Sequence, residues 1–402
     1  MNRLIAWSFF VLAALGVVAC NGVSSGGSKP DAPTNVTVVP GDSSVTVSWD
    51  MQSGIEYWIF SAAAPSISTD NWTTLPQARV VRGAVSPQIV AGLTNGTQYS
   101  FTVNGRQSSG PGGPGSPSIS ATPKLAGEFW SIGKPLPTAS LNAVTFLGLT
   151  LPGLYTTVGA GGTIFNSSDA VSWTAVNSGT TADLNGVVFG FSRYVAVGKG
   201  GAMITSLDGT TWTTQNSATT NDLRAIATGS PGMVAVGPGG TIVRSSDGAN
   251  WAAVTSGTTN DLYGVSYAVN NTFYAVGAKG TMLSSTDGVT WTPIATGTTA
   301  DLHGFAYSGI TFVAVGSGGT IIYSSDAVTW TAITPLTTAT LNSITPGSQF
   351  VTVGTGGTIL TSVDGANWAQ VSSGITADLN AVLYGLTGYV AVGVGGVNLT
   401  SF

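Results

Sequence analysis

The sequence has few of the residues from which most metal and redox sites are built. Its 402 residues include one cysteine and one histidine, and only 7% of them are charged, where roughly 25% is usual. This leaves little room for a zinc site, which normally takes several cysteine or histidine ligands, and we expect no metal and no cofactor. The net charge of −5 comes without a basic cluster. It argues against a nucleic-acid partner, because such binding depends on neutralising phosphates.

Apolar and small residues are abundant instead. Apolar residues make up 43% of the chain, and 56 residues are glycine. This apolar content is enough for packed cores, and it excludes disorder of the highly charged, apolar-poor kind. The length suggests two or three domains.

The first twenty residues are typical of an export signal. Arg3 gives a short basic start, and residues 4–18 are apolar apart from Ser8, which is too short to span a bilayer comfortably. The segment ends in Val17-Val18-Ala19-Cys20, which resembles the lipobox of bacterial lipoproteins. That resemblance implies cleavage before Cys20 and lipidation of its thiol. An ordinary signal peptide with an incidental cysteine remains the alternative.

Residues 21–30 are rich in glycine and serine and are predicted to form a flexible tether. By the lipoprotein resemblance, the membrane is a partner through the lipid anchor, and the protein is located in the bacterial cell envelope. Asn21, rather than aspartate, follows the cysteine, which favours the outer membrane or the cell surface.

Residues 31–123 show short runs of alternating apolar and polar residues separated by turn residues, which is typical of a β-sandwich. The alternating apolar residues are Val45, Val47 and Trp49 in one run and Tyr99, Phe101 and Val103 in another. The opening Ala32-Pro33, the core Trp49, the turn at residues 92–97 with Tyr99 and the closing residues 121–123 resemble a fibronectin type III domain. The resemblance implies that the Tyr99 hydroxyl fixes a nearby backbone group. Arg106 is interpreted as part of a solvated loop at residues 104–106.

Residues 124–402 repeat with a period of 38 to 40 residues. Three signals recur: a Ser-x-Asp-x-x-x-Trp motif, a glycine-rich turn and a leucine followed by a polar or aromatic residue. The six copies of the first signal contain Asp169 and Trp173, Asp208 and Trp212, Asp247 and Trp251, Asp287 and Trp291, Asp326 and Trp330, and Asp364 and Trp368. The glycine-rich turns begin at Gly159, Gly198, Gly237, Gly277, Gly316, Gly354 and Gly393.

The order of these signals predicts a closed ring of four-stranded sheets. The chain ends shortly after the glycine turn at Gly393, without a following tryptophan, whereas Trp130 precedes the first full repeat. Because an open strand edge pairs readily with other chains, we expect the strand near Trp130 to complete the last sheet. In one repeat, strands are predicted at 224–228, 233–237, 241–245 and 251–255. We therefore expect an all-β fold class: the fibronectin type III β-sandwich that the resemblance implies, followed by a seven-bladed β-propeller closed by strands from both ends.

The Ser-x-Asp-x-x-x-Trp motif resembles the Asp-box repeat of sialidase-type and photosystem assembly-factor-type propellers. By that resemblance its residues are structural: the aspartate accepts backbone hydrogen bonds in a turn, and the tryptophan packs between blades. One carboxylate per turn is too few for calcium.

The distribution of charged residues argues against an enzyme. Glycoside hydrolysis usually needs a pair of carboxylates. Of the 17 acids, five lie at or before Asp70, six belong to the motif and five precede the repeated leucine, which leaves Glu128. The arginines of the repeat region, Arg193, Arg224 and Arg244, occupy different positions within their repeats. We expect no catalytic residues, and a sialidase-like hydrolase is the less favoured alternative.

The residue after the repeated leucine stays polar or aromatic while its identity varies. These seven residues are Asn142, Asn185, Arg224, Tyr263, His303, Asn342 and Asn380. Each begins a predicted innermost strand, so together they are candidates for binding at one face of the ring. The structural alternative is that the asparagines bind backbone groups and the other three vary without function. His303 lacks a second imidazole or thiolate with which to hold a metal.

These patterns favour a non-enzymatic platform that binds a protein partner or assists assembly of an envelope complex. A carbohydrate-binding propeller is the alternative, and Tyr263 is the clearest aromatic candidate for contacting a sugar. The glycine-rich turns connect two strands and lead into no helix, so they do not fit a nucleotide phosphate loop.

Overall fold

The computed structural model describes residues 29–107, 110–148, 153–268, 270–385 and 388–402. Cys20, the export signal and most of the predicted tether lie outside the described residues. Contacts divide the chain into two compact units. The first contains the described part of Met1–Thr37 with Ser48–Gln88 and Ser100–Ser120, and the second contains Val38–Val47, Ile89–Tyr99 and Ala121–Phe402. In the described ranges, no helix has the length and apolarity needed to cross a membrane.

The first part of the chain forms two antiparallel sheets. Its strands are β1 (Thr37–Gly41), β2 (Ser44–Ser48), β3 (Ile55–Ala62), β4 (Arg79–Ala84), β5 (Gln88–Ala91), β6 (Tyr99–Gln107), β7 (Gly112–Gly115) and β8 (Ile119–Ala121). One sheet has the order β1-β2-β5, and the other has the order β4-β3-β6-β7 with β8 also paired to β6. A short 3-10 turn spans Trp72–Thr74.

The structure shows the surroundings of Tyr99 and Arg106, for which the sequence made specific predictions. Tyr99 is fully buried, and its hydroxyl accepts a hydrogen bond from the backbone N–H of Thr94 at 3.2 Å, as the resemblance implied. The loop expected around Arg106 was wrong. Arg106 lies in β6, directly opposite Glu56 of β3, because the pairing of these two strands continues to Gln107.

The repeat region contains, within the described residues, seven four-stranded antiparallel sheets. A short strand, β9 (Ser131–Ile132), comes before the first of them. Sheet 1 contains β10 (Leu141–Leu147), β11 (Leu154–Gly159), β12 (Ile164–Ser167) and β13 (Thr174–Val176). Sheet 2 contains β14 (Leu184–Gly190), β15 (Arg193–Gly198), β16 (Met203–Ser206) and β17 (Thr213–Thr214). Sheet 3 contains β18 (Ala225–Gly229), β19 (Gly232–Val236), β20 (Ile242–Ser245) and β21 (Ala252–Val254).

The remaining sheets follow the same order. Sheet 4 contains β22 (Leu262–Ala268), β23 (Thr272–Gly277), β24 (Met282–Ser285) and β25 (Thr292–Pro293), and sheet 5 contains β26 (Leu302–Tyr307), β27 (Phe312–Gly316), β28 (Ile321–Ser324) and β29 (Thr331–Ala332). Sheet 6 contains β30 (Leu341–Thr345), β31 (Phe350–Gly354), β32 (Ile359–Ser362) and β33 (Ala369–Val371). Sheet 7 contains β34 (Leu379–Tyr384), β35 (Tyr389–Gly393) and β36 (Asn398–Ser401), together with β9. The four strands predicted at 224–228, 233–237, 241–245 and 251–255 correspond to β18, β19, β20 and β21. Each predicted end lies within two residues of the observed one.

Burial explains the composition of the strands. The second strand of each sheet is almost entirely buried, as in β19, where all five residues are buried, because neighbouring elements cover both of its faces. The fourth strand is short and exposed, as in β17. The tryptophans pack between sheets as expected: Trp212 is buried against Val158 and Ile164 of sheet 1 and Tyr194 of its own sheet.

The predicted completion of the last sheet is observed. In sheet 7, β36 pairs with β9, which places Leu399 opposite Ile132 and Thr400 opposite Ser131. The buried side chain of Asn398 adds a hydrogen bond from Nδ2 to the carbonyl of Lys134, at 2.8 Å. The first strand of each sheet contacts the first strand of the next, and β34 contacts β10, so the seven sheets form a closed ring.

Candidate functional site

The aspartates before the repeated leucines connect neighbouring sheets. The backbone carbonyl of Asp183 accepts a hydrogen bond from Lys199 in its own sheet, at 2.9 Å, while its side chain accepts one from Gly161 in the preceding sheet, at 2.8 Å. The same side-chain bond to the glycine turn of the preceding sheet is made by Asp183, Asp222, Asp261, Asp301 and Asp378. These five acids are therefore structural.

The aspartates of the Ser-x-Asp-x-x-x-Trp motif are also occupied by backbone groups. In all six copies one carboxylate oxygen accepts the N–H groups two and three residues later, at 2.7 or 2.8 Å. These bonds lower the pKa of Asp287, Asp326 and Asp364 to about 2. At neutral pH these carboxylates are ionised and fixed in turns, which suits a structural role and not proton transfer.

The seven residues that follow the repeated leucines line a single cavity with a volume of about 350 Å³. In six of the seven sheets the strand pairing shifts register at this position. Such a bulge changes the direction of a side chain relative to the rest of the strand. All seven side chains are half-buried. We call this group the cavity mouth, consisting of Asn142, Asn185, Arg224, Tyr263, His303, Asn342 and Asn380.

The four asparagines of the cavity mouth each bind the next sheet. Their Nδ2 groups donate to the backbone carbonyl of that sheet's repeated leucine. The pairs are Asn142 with Leu184 (2.9 Å), Asn185 with Leu223 (3.0 Å), Asn342 with Leu379 (2.9 Å) and Asn380 with Leu141 (2.9 Å). These are bonds to backbone groups of the kind that the structural alternative predicted for the asparagines. The sequence did not reveal this bond, because its two partners are distant along the chain.

The other three residues form a stack across sheets 3, 4 and 5. The guanidinium carbon of Arg224 lies 4.7 Å from the ring centre of Tyr263. The Tyr263 and His303 rings are stacked, with centres 4.8 Å apart and planes inclined by 19°. Arg224 also forms an ion pair with Asp261, at 3.1 Å. On sheets 3, 4 and 5, planar side chains thus take the position at which each of the other four sheets has an asparagine.

His303 is held within this stack. Its Nε2 lies 3.1 Å from the hydroxyl of Ser317. Burial lowers the pKa of His303, the negative charge of Asp301 opposes that change, and the positive charge of Arg224 reinforces it. The imidazole is therefore predominantly neutral at neutral pH. Sequence reasoning did not select Ser317 or Asp261 for this site, because each occupies an ordinary position in its repeat.

Arg244 and Arg193 do not join the cavity mouth. The Arg244 guanidinium donates to the backbone carbonyls of Asp287 and Pro231, and Arg193 lines a separate pocket with Asp208. Across the described ranges, no group of three or more histidine, cysteine, aspartate or glutamate residues is arranged to hold a metal ion.

Part of the chain and its fold are similar to known β-propeller domains. A family model described as the DUF6242 beta propeller domain matches residues 241–346. The structure titled "YCF48 bound to D1 peptide" is 20% identical, with a TM-score of 0.56, and covers 68% of this chain and 94% of that chain. YCF48 from Cyanidioschyzon merolae is 19% identical, with a TM-score of 0.55, over 68% and 98% of the two chains. No curated protein matches.

A third similar structure is the WD40 beta propeller domain of Doa1. It is 11% identical, with a TM-score of 0.56, and covers 68% of this chain and 97% of that chain. At these identities the likeness concerns the fold alone. The chain is an all-β protein, and its repeat region is a β-propeller.

Proposed function

We propose that this protein is a non-enzymatic binding platform and that the cavity mouth contacts a protein partner. The observation that carries the proposal is the stack of Arg224, Tyr263 and His303 on three consecutive sheets. At the equivalent positions of the other four sheets an asparagine binds the neighbouring backbone. A similar propeller, YCF48, has been solved with a D1 peptide, which supports a protein as the partner.

The stack also argues against the carbohydrate-binding alternative. A sugar ring that packs on an aromatic residue needs one free face of that ring. Arg224 covers Tyr263 on one side at 4.7 Å, and the ring of His303 lies parallel to Tyr263 at 4.8 Å. With both groups packed on its ring, Tyr263 has less aromatic surface left on which a sugar could stack.

The absence of enzymatic activity is part of the proposal. Hydrolysis of a glycoside requires carboxylates that are free to exchange a proton or attack the sugar. The described acids of the repeats accept two backbone N–H groups in the motif or one in the glycine turns. A hydrolase would have to release one of these carboxylates from its turn.

The number of blades, the fold of residues 31–123 and the location of the protein are also part of the proposal. We infer that the seven four-stranded sheets are the complete set of blades and that residues 31–123 form a fibronectin type III sandwich. The strand orders of its two sheets and the buried Tyr99 support the sandwich. We further propose a lipid anchor at Cys20 and a site in the bacterial cell envelope, at the outer membrane or cell surface. Incorporation of labelled palmitate that is lost in Cys20→Ala tests the anchor.

The platform is tested by binding of the full chain to envelope proteins. The variant Arg224→Ala/Tyr263→Ala/His303→Ala should lose at least about tenfold in affinity, since stacked aromatic and arginine residues dominate such contacts. A matched control is Val171→Ala/Leu207→Ala/Val328→Ala. These three side chains are 56%, 74% and 74% exposed on the motif hairpins. Equal binding by the stack variant and the unmodified chain would refute the proposal.

A further inference from the structure

The three arginines of the repeat region differ in what their guanidinium groups bind. Arg224 forms an ion pair at the cavity mouth, and Arg244 donates to the backbone carbonyls of Asp287 and Pro231. The Arg193 guanidinium has neither an ion pair nor a hydrogen bond within the described residues, and its Nε is buried without a partner. Because an unpaired buried donor is unfavourable, such a group in a native fold calls for an explanation.

The side chain of Arg193 is held by packing and not by its charge. Its stem lies against the motif turn of sheet 3, where a Cβ at Gly248 would be 2.9 Å from Cδ of Arg193. Arg244 packs in the same way on the motif turn of sheet 4, where a Cβ at Gly288 would be 3.5 Å from Cδ of Arg244. In these similar surroundings, the guanidinium of Arg244 binds carbonyls and that of Arg193 does not.

The repeat does not require a cation at the position of Arg193. Arg193 begins β15, five residues before the glycine turn at Gly198. The residues at the same distance from the other glycine turns are uncharged, namely Leu154, Gly232, Thr272, Thr311, Gln349 and Gly388. Because six sheets form without a charge here, the fold itself gives no reason for the guanidinium group.

Arg193 lines a cavity of about 380 Å³, which we call the Arg193 cavity. Thr205, Thr213 and Gln215 also line it, and their contacts with one another are long. The two threonine Oγ1 atoms are 3.5 Å apart, and Nε2 of Gln215 lies 3.4 Å from Oγ1 of Thr205. Good hydrogen bonds to oxygen span about 2.5–3.2 Å, so these groups retain capacity for a ligand. Small-molecule sites have volumes of roughly 300–1,000 Å³.

The charges of the Arg193 cavity favour a ligand with a single negative charge. Asp208 is the one acid among the described residues that line it. Hydrogen bonds from the backbone N–H groups of Thr211 and Thr210 lower the pKa of Asp208, so this carboxylate is ionised at neutral pH. It forms no ion pair with Arg193 in the described part of the chain. A monoanion can bind the unpaired guanidinium, whereas a dianion meets stronger repulsion from Asp208.

We propose that the Arg193 cavity binds a small polar carboxylate. The guanidinium of Arg193 donates to the carboxylate, for which its planar fork of N–H groups is suited. Thr205, Thr213 and Gln215 bond to hydroxyl groups of the ligand. Arg193 pairs with Gly190 at the end of sheet 2 that is remote from the repeated leucine, so this site is separate from the cavity mouth and does not depend on the platform proposal.

The Nε–H group of Arg193 gives a local assay in the full chain. The sequence has seven arginines, and the Nε–H signal that is absent from the spectrum of Arg193→Met identifies Arg193. The probes are D-gluconate, the uncharged sorbitol with a similar hydroxyl chain, and inorganic phosphate, each added at constant ionic strength. We expect a saturable shift of the Arg193 signal with gluconate and at least about tenfold weaker binding of sorbitol and phosphate.

Matched variants test the role of the guanidinium, with gluconate binding followed by saturation-transfer NMR of the ligand. Arg193→Met keeps an apolar stem on the turn at Gly248 and should weaken binding by about tenfold or more. Arg193→Lys keeps the charge without the planar fork and should weaken it by about threefold or more. Lys199→Met removes an exposed charge of the same sheet outside the cavity and should leave affinity within about twofold.

Melting temperatures separate ligand binding from a structural role. Arg193→Met loses no hydrogen bond and should be at least as stable as the unmodified chain, whereas Arg244→Met loses two and should melt at a lower temperature. An equal fall in both variants would assign Arg193 a structural role and overturn the inference. It would also be overturned by tighter binding of phosphate or sorbitol, by unchanged gluconate binding in Arg193→Met, or by no response to gluconate. Gluconate binding that is lost in Arg193→Met and kept in Lys199→Met would support it.

Discussion

Replacing Gly319 by alanine should destabilise the protein far more than replacing the adjacent Gly318. Both residues lie in the glycine-rich turn of sheet 5 and both have a left-handed backbone, with φ of 72° and 64°. Alanine in this conformation costs about 1–2 kcal/mol. Loss of glycine's extra freedom in the unfolded chain offsets about 0.5–1 kcal/mol of that. The expected destabilisation for Gly318→Ala is therefore about 0.5–1 kcal/mol.

The two positions differ in the space around them. A Cβ at Gly318 would meet no atom within 4 Å, and sheet 4 has Lys279 at this position with φ of 57°. A Cβ at Gly319 would overlap the backbone carbonyl oxygen of Thr337. Forcing an extra carbon into a filled site costs about 1–3 kcal/mol more. Gly319→Ala should therefore lose about 1.5–4 kcal/mol.

Urea unfolding of the full chain, followed by tryptophan fluorescence, measures both variants. Equal slopes would show that the change lies in stability and not in the surface exposed on unfolding. A loss at Gly318 equal to that at Gly319 would refute the steric argument and leave backbone conformation as the sole cause.

Three further predictions concern other contacts. Asn342→Leu should lower the unfolding free energy by about 1–3 kcal/mol in urea, because the carbonyl of Leu379 loses its amide donor. Backbone hydrogen bonds hold the pKa of the Asp287 carboxyl at about 2, below its ordinary 3.8. The contribution of the ionised carboxylate to the free energy of unfolding is therefore complete above about pH 4 and is lost as the pH falls towards 2. Asp287→Asn should accordingly reduce the fall in melting temperature across that range. Deleting residues 126–136 exposes the edge of β36 and should lower the melting temperature and increase self-association in light scattering.

Much of the repeat architecture follows from the sequence because three signals mark each sheet. The tryptophan precedes the fourth strand, the glycine turn joins the second and third, and the leucine marks the entry to the first. Their offset also indicated that a strand near Trp130 completes the sheet that contains Gly393. The expected loop at Arg106 was wrong because polar and glycine residues within a long strand look like a turn. Pairing with β3 keeps that segment extended.

The cavity mouth was predictable as a set of positions but not as a set of contacts. Leu184 and its equivalents locate the residue that begins each first strand, so convergence at one cavity follows from the repeat. The partner of Asn142, however, is a backbone carbonyl 42 residues away in the next sheet. That contact depends on a bulge that the sequence does not specify. The ion pair of Arg224 with Asp261 is similarly hidden, since Asp261 matches four other aspartates in the repeat.

The cavity mouth combines two arrangements, asparagines that bind the next sheet and a stack of planar groups, and the two contribute similarly to stability. An asparagine that donates to the next sheet contributes about 0.5–1.5 kcal/mol. A stacked cation or aromatic pair contributes a comparable amount, about 0.5–1 kcal/mol for an arginine over tyrosine and 0.5–1.5 kcal/mol for stacked rings. Stability alone therefore gives little reason to replace three asparagines on consecutive sheets by Arg224, Tyr263 and His303. The replacement does change the surface, because it interrupts a ring of amides with one extended planar group. That change supports the proposed role of the cavity mouth in binding a specific partner.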